Sequence, residues 1–282
     1  MAPRASTDKG SKRFAPWQPR AKAGTPVALS KFDPAAKPFS SGDKAKDKAA
    51  VEALALEIDA LQDLLFADRR FKLLVVLQGM DASGKDGTIR GVFGRVSPLG
   101  AHTMSWKAPT SDERAHDFLW RIHQSVPGAG DLMIFNRSHY EDVLVPVVLG
   151  TLSADATRQR FRQINDFERL LAETGTVLLK FMLHISPQEQ RERLQARIDD
   201  PTKAWKFMAG DLEVRKHWNE YQAAYGALLG ATSTDLAPWT IVPADSKTHR
   251  NLMIATLVRD KLRSLGLRYP APDPALRGVK VA

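Results

Sequence analysis

The 282-residue chain contains no cysteine, which removes disulfides, thiolate nucleophiles and cysteine-based zinc or iron–sulfur centres together. No apolar run approaches the length of a bilayer span, and the N-terminus lacks the apolar core of a secretory signal. A cytoplasmic protein with no membrane partner is the expectation. No self-similarity recurs at the roughly 20–50-residue periods of repeat architectures. His102, His116 and His123 have neither cysteines nor a His-Glu-x-x-His pattern to support them, so they read as surface or core histidines rather than zinc ligands. No aromatic-basic module of a nucleic-acid-binding fold is present, and nucleic acid is not an expected partner.

What is present fits one large α/β domain, with 43% hydrophobic residues, an ordinary value for a globular chain. The net charge of +9 is unevenly placed, because the first 50 residues carry 11 Lys/Arg against 4 Asp/Glu and leave only +2 for the rest. Residues 1–47 are also rich in Pro, Gly, Ser and Lys, which predicts a basic, largely irregular and partly mobile N-terminal extension, either a solvated tail or one that tracks a polyanion.

From residue 48 to 70, Val51, Leu54, Ile58, Leu61 and Leu65 recur at helical spacing, so an amphipathic helix leads into the core. Strands are predicted at 72–77, 103–106, 131–135, 177–185 and 239–242. Helices are predicted from 85, from 111 through Ile122, and over 143–149, 156–173, 186–198, 211–229 and 248–265. Strands alternating with helices imply a doubly wound parallel sheet of about five strands, flanked by helices, with one domain spanning 48–268 and a tail over 269–282. Right-handed crossovers then set the loops after the first and third strands side by side at the carboxyl edge, where such sheets bind ligands. The aromatic residues Trp106, Phe118, Trp120, Trp205 and Trp218 read as core or lid packing.

The first strand runs into Gly79-Met80-Asp81-Ala82-Ser83-Gly84-Lys85-Asp86-Gly87, the layout of a phosphate cradle. Glycines let successive N–H groups turn inward around an anionic oxygen, the lysine reaches the terminal phosphates, and the next helix adds its positive end. Asp86 stands where a Mg²⁺-binding hydroxyl is usual, and Asp81 puts a carboxylate inside the loop. A carboxylate there would repel phosphate unless a divalent cation lay between them, which predicts Mg²⁺, with Mn²⁺ as a substitute.

Three ordered motifs, Gly79–Gly87, Ile134–Val143 and Arg193–Trp205 with Asp200-Pro201 and Lys203, resemble the polyphosphate kinase 2 family over residues 50–265. The resemblance implies a P-loop kinase-like fold with a helical lid at 199–210, and phosphoryl transfer between inorganic polyphosphate and a nucleotide. Residue by residue, it implies catalytic roles for Asp81, Lys85, Arg137 and Glu141. Polyphosphate would be bound by Gly79, Ala82, Ser83, Gly84, Lys85, Asp86, Gly87, Arg90, Arg197 and Lys203. Nucleotide would be bound by Arg137, Ser138, His139, Tyr140 and Glu141, and metal by Asp81 and Asp142.

Asn136-Arg137-Ser138-His139-Tyr140-Glu141-Asp142 looks like the class III branch, in which the acidic residue matching Glu141 goes with use of AMP as well as ADP. AMP, ADP and ATP are the implied nucleotides, with guanine nucleotides as further acceptors and a homo-oligomer as the implied assembly. Transfer between two polyanions needs positioning and charge neutralisation more than covalent chemistry, so the basic set is chemically apt. Ser138 and His139 do not read as a nucleophile and base, since chain neighbours rarely face one another. Arg191 and Arg193 read equally well as an ordinary solvated helix face. Rival readings are an ATP-dependent nucleoside or nucleotide kinase, and a non-catalytic nucleotide- or nucleic-acid-binding protein using the basic arm.

Overall fold

A computed structural model describes residues 14–19, 24–207 and 209–281. Its centre is β1 (Lys72–Gln78), whose residues after Lys72 are all buried. Such a continuous apolar strand needs neighbours on both edges and cover on both faces. β1 pairs in parallel with β3 (Leu132–Asn136) on one side and β4 (Thr176–His184) on the other. β2 (Ala101–Ser105) forms one edge and β5 (Trp239–Pro243) the other, so the all-parallel order is β2-β3-β1-β4-β5. The expected five-stranded fold is present, and the β1–β3 pairing brings the two predicted ligand loops side by side.

Helix α1 (Lys44–Asp68) starts before residue 48 because Asp43 caps it, accepting from the N–H groups of Ala45 and Lys46. α2 (Lys85–Val92) leaves the cradle. The single helix expected from 111 through Ile122 is two, α3 (Ser111–Ala115) and α4 (Trp120–His123). Thr110 and Glu113 close a capping box on α3, and the Asp117 carboxylate accepts from Leu119 N–H in a turn that restarts the chain. After β3 come α5 (Glu141–Val148) and α6 (Ala154–Glu173), then α7 (Pro187–Asp199) after β4. The expected helix over 211–229 breaks at His217 into α8 (Ala209–Lys216) and α9 (Trp218–Thr232). α10 (Lys247–Ser264) packs back on α1. Among the described residues, no helix is long and apolar enough to cross a membrane.

The extension lies partly outside the described residues, at 1–13 and 20–23. Where described it is irregular but held against the core. Phe14 is buried and stacks on Phe39 at 4.5 Å, Phe39 N–H donates to His249 Nε2 at 3.1 Å, and Val27 N–H donates to Gly226 O at 2.8 Å. Gly230 permits this passage across α9, since a Cβ there would stand 2.0 Å from Thr25 O.

Candidate active site

The β1–α2 loop takes backbone conformations its glycines allow. Gly79 has φ +151° and Gly84 +105°, and a Cβ on Gly84 would meet the Arg250 guanidinium at 1.8 Å. Ala82 and Arg137 are non-glycine residues at φ +62° and +65°, left-handed positions that L side chains seldom occupy and that cluster at functional sites. Lys85 is only 8% exposed, and its Nζ donates to Gly79 O at 2.7 Å and Met80 O at 3.3 Å. Burial first, and then the neighbouring Arg137, push the Lys85 ammonium down to about 8, against the pull of Asp81, Glu141 and Asp86. Ser83 Oγ is buried beside Gly79 with no hydrogen-bond partner. It is a spare polar atom inside the cradle.

Arg137 N–H donates to Leu77 O, which extends the β1–β3 pairing and sets the arginine over the cradle. Its guanidinium bridges Asp81 Oδ1 at 2.5 Å and Glu141 Oε2 at 3.2 Å. Glu141 Oε1 accepts from Gln78 Nε2 at 2.5 Å, and Ser138 Oγ donates to Gln78 Oε1 at 3.1 Å. Asn136 Nδ2 donates to the Asp86 carboxylate at 2.9 Å, a second tie between the loops. Asp81, Lys85, Arg137 and Glu141 thus come together as one constellation.

Other predicted site residues lie elsewhere. Ser138, His139 and Tyr140, expected at a nucleotide, are instead fully buried. Tyr140 OH donates to Glu168 Oε1 at 2.6 Å, Lys180 Nζ donates to Glu168 Oε2 at 2.6 Å, and His139 Nε2 lies 3.4 Å from Glu168. Burial raises the Glu168 carboxyl, yet Lys180 and then His139 hold it below the usual carboxylate range. The motif therefore alternates between residues that face the cradle and residues that pin the loop from beneath. Asp142, expected to hold metal with Asp81, is turned away, because both its carboxylate oxygens accept from buried Arg121, at 2.9 and 3.3 Å. Arg90 is exposed in the last turn of α2, Arg197 is half-buried near the end of α7, and Lys203 pairs with Asp200 in the segment before α8. Met208 of the expected lid lies outside the described residues.

A divalent cation fits the donor set in one way. Among the described residues, no group of three His, Cys, Asp or Glu could enclose an ion. Asp81 and Glu141 instead present two hard oxygen donors at the cradle's mouth, the arrangement in which Mg²⁺ is shared between one or two carboxylates and substrate phosphates.

Comparison with known proteins bears on this geometry. The Polyphosphate kinase 2 family model matches residues 41–266. The chain belongs to the polyphosphate kinase 2 family. It is 49% identical over 256 residues to the AMP/ADP-polyphosphate phosphotransferase of Meiothermus ruber, covering 90% of this chain and 95% of that protein. It is 39% identical to the ADP-polyphosphate phosphotransferase of Rhodopseudomonas palustris, covering 92% and 93% of the two chains. The crystal structure of Polyphosphate Kinase 2 from Arthrobacter aurescens TC1 superposes with a TM-score of 0.88 at 40% identity, covering 93% and 92%.

In this polyphosphate kinase 2 chain several residues at the site carried little sequence signal. Arg193, read as a possible solvated-face residue, is buried and donates to Ala82 O at 3.0 Å and Ser83 O at 3.1 Å, as well as to Ala244 O and Asp245 O. Gln190 Nε2 donates to Asp81 O at 3.0 Å while its Oε1 accepts from Arg215 of α8, so one side chain links the cradle to that helix. Tyr221 and Tyr225 of α9 border Glu141, and burial first, with that carboxylate next, pushes both phenols up. Their i,i+4 spacing marks one helix face but says nothing of what the face meets.

Proposed function

We propose that the chain transfers a phosphoryl group from inorganic polyphosphate to ADP and AMP, forming ATP and ADP, with Mg²⁺ as its metal and Mn²⁺ as a substitute. The observation that carries this reading is the bridge from Arg137 to Asp81 and Glu141 over buried Lys85, in a chain 49% identical to an enzyme named AMP/ADP-polyphosphate phosphotransferase.

In this reading an oxygen of the acceptor's last phosphate attacks the terminal phosphorus of the donor in line. The new P–O bond forms as the bond to the rest of the polymer breaks, and the shortened polymer leaves with the electron pair. Backbone N–H groups of the cradle hold the donor oxygens, and Lys85 meets the charge spread over the transferring group. Arg137, held between the two loops by Asp81 and Glu141, would meet the charge on acceptor and donor phosphates. A bound Mg²⁺ supplies charge neutralisation and alignment of phosphate oxygens, with Asp81 and Glu141 as the carboxylates that would hold it. His139 is buried against Glu168, which favours direct transfer over a phosphohistidine.

The lid at 199–210 would close over the reacting phosphates and exclude water that would otherwise hydrolyse the donor. Trp205, 75% exposed, supports this reading, because a large apolar ring gains cover on closure. The experiment is an assay of ATP and ADP formation from polyphosphate with ADP or AMP and no ATP added. Nucleotide products that require the polymer support the reading, and transfer only from an ATP donor refutes it.

A further inference from the structure

β1 is apolar from Leu73 to Leu77 and ends on a polar residue, Gln78, that is nonetheless fully buried. A buried primary amide costs free energy unless its hydrogen bonds are made, so each of its polar atoms needs a partner. Gln78 Oε1 accepts from Ser138 Oγ at 3.1 Å. Gln78 Nε2 donates to Glu141 Oε1 at 2.5 Å, with Tyr225 OH a longer contact at 3.5 Å. Chemistry fixes the direction, because an ionised carboxylate only accepts and the amide must turn its nitrogen to Glu141.

Ser138 is held in turn, since its Oγ accepts from Tyr140 N–H at 3.3 Å while Tyr140 OH donates to buried Glu168. Donors therefore point one way, from Tyr140 through Ser138 and Gln78 to Glu141 Oε1. The other carboxylate oxygen, Oε2, accepts from Arg137, which also reaches Asp81. With one donor on each oxygen, Glu141 cannot turn both to the guanidinium without losing the amide. A tie between strands is not what the amide adds. β1 and β3 are already paired from Leu73 to Leu77, and Arg137 N–H donates to Leu77 O.

We infer that Gln78 is a positioning residue, which sets the geometry of phosphoryl transfer through Glu141 without itself touching a substrate. It holds Glu141 Oε1, so that Oε2 alone meets Arg137 and the carboxylate keeps one orientation beside the cradle. Without the amide, Glu141 is free to fork both oxygens onto Arg137, the bidentate geometry that a guanidinium favours. Arginine and carboxylate then neutralise each other instead of serving the phosphates. The inference rests on the phosphoryl-transfer reading above and on the part of Glu141 in it.

The test is a double-mutant cycle on the full chain, with wild type, Gln78→Met, Glu141→Gln and the double variant, each checked for folding by urea denaturation. Gln78→Met keeps the length of the side chain and removes the amide. kcat and the KM for polyphosphate are measured with ADP as acceptor, so that the Glu141→Gln background retains a measurable rate. Gln78→Met is expected to lower kcat by about tenfold or more, the scale for partners that orient a working carboxylate. The KM for polyphosphate should stay within about twofold, since the donor contacts of the cradle are untouched. In the Glu141→Gln background the same change should lower kcat by less than about twofold, because a residue that acts through another has nothing left to act on. Gln78 adjoins Gly79, so a merely structural role would distort the cradle, raise the KM for polyphosphate and cost the same factor in both backgrounds. Either of those results, or a wild-type kcat in Gln78→Met, overturns the inference. If Gln78→Met does not fold, Ser138→Ala takes its place in the cycle, because it frees Gln78 Oε1 and leaves the amide. Its kcat loss should likewise be present with Glu141 and absent with Glu141→Gln, and equal losses overturn the inference. Additive losses in an enzyme that does transfer from polyphosphate overturn this inference alone. A wild type that forms no nucleotide product from polyphosphate overturns the proposed function and the inference with it.

Discussion

Arg137 Nη2 lies 2.5 Å from Asp81 Oδ1, so the loop after β3 is clasped to the phosphate cradle after β1 by one charge-assisted hydrogen bond. A carboxylate in a phosphate loop is tolerated without substrate because an arginine answers it. In the proposed reaction the same carboxylate would be the one to face a divalent cation beside the phosphates. Asp81→Asn keeps the shape and removes the charge. It is expected to raise the Mg²⁺ concentration for half-maximal rate by about tenfold or more and to slow turnover, with excess Mg²⁺ rescuing only part of the loss. An unchanged Mg²⁺ titration would make the carboxylate structural.

Lys85→Ala should cost about 3 kcal/mol of transition-state stabilisation, a hundredfold or more in rate, while the fold survives. The lowered Lys85 value adds a pH signature. Between about 8 and the ordinary 10.5, the unfolded chain holds a proton that the folded chain has released, so stability rises with pH across that window. The cost of burying the ammonium is present in full below about 8. Substrate phosphate needs the charged form, so the KM for polyphosphate should climb as pH passes about 8. Stability curves and KM profiles of wild type and Lys85→Ala check this, and a flat KM from pH 7 to 10 would remove the lysine from donor binding.

The sheet, its alternation with helices and the cradle were legible because their signals are local. Leu73 to Leu77 is an unbroken apolar run, and glycine spacing before Lys85 needs no distant partner. The breaks at Asp117 and His217 were not, since each depends on one side-chain turn or one backbone angle inside a continuous helical pattern. Nor was the work of Arg193, whose accepting carbonyls at Ala82 and Ser83 are more than 100 residues away in the chain. In the third-strand motif, polar character alone could not separate Arg137 and Glu141, which face the cradle, from His139 and Tyr140, which anchor it.

That anchor gives a stability prediction. Lys180→Met leaves the Glu168 carboxylate buried without its ammonium and should cost about 3–5 kcal/mol. Lys180→Met combined with Glu168→Leu removes both charges and should recover most of the loss. Urea unfolding of the two variants decides it, and a double variant as weak as the single one would mean that the bonds to Tyr140 OH and Thr232 O matter more than the pair.

The N-terminal arm is expected to act through packing as well as charge. Gly230→Ala puts a methyl group within 2.0 Å of Thr25 O, a backbone atom that can move only if the arm does. The substitution should destabilise the chain by about 1–3 kcal/mol. The loss should be insensitive to salt, which separates it from electrostatic attraction of the arm. A neutral effect in urea unfolding would show the arm to be loosely seated.

Glu141 accepts from both Arg137 and Gln78, which fixes its carboxylate beside the cradle, and in the proposed reaction it would orient the acceptor phosphate. Glu141→Asn is expected to lower activity with AMP far more than activity with ADP at saturating polyphosphate. Equal losses for the two acceptors would assign Glu141 to general metal binding.

The central claim is that this cradle moves phosphate from polymer to nucleotide. Purified protein given polyphosphate, Mg²⁺ and ³²P-free AMP, with no ATP, should form ADP first and ATP after it, and Lys85→Ala should form neither at a comparable rate. Absence of nucleotide product from polyphosphate, together with efficient phosphorylation of AMP when ATP is supplied as donor, would contradict it.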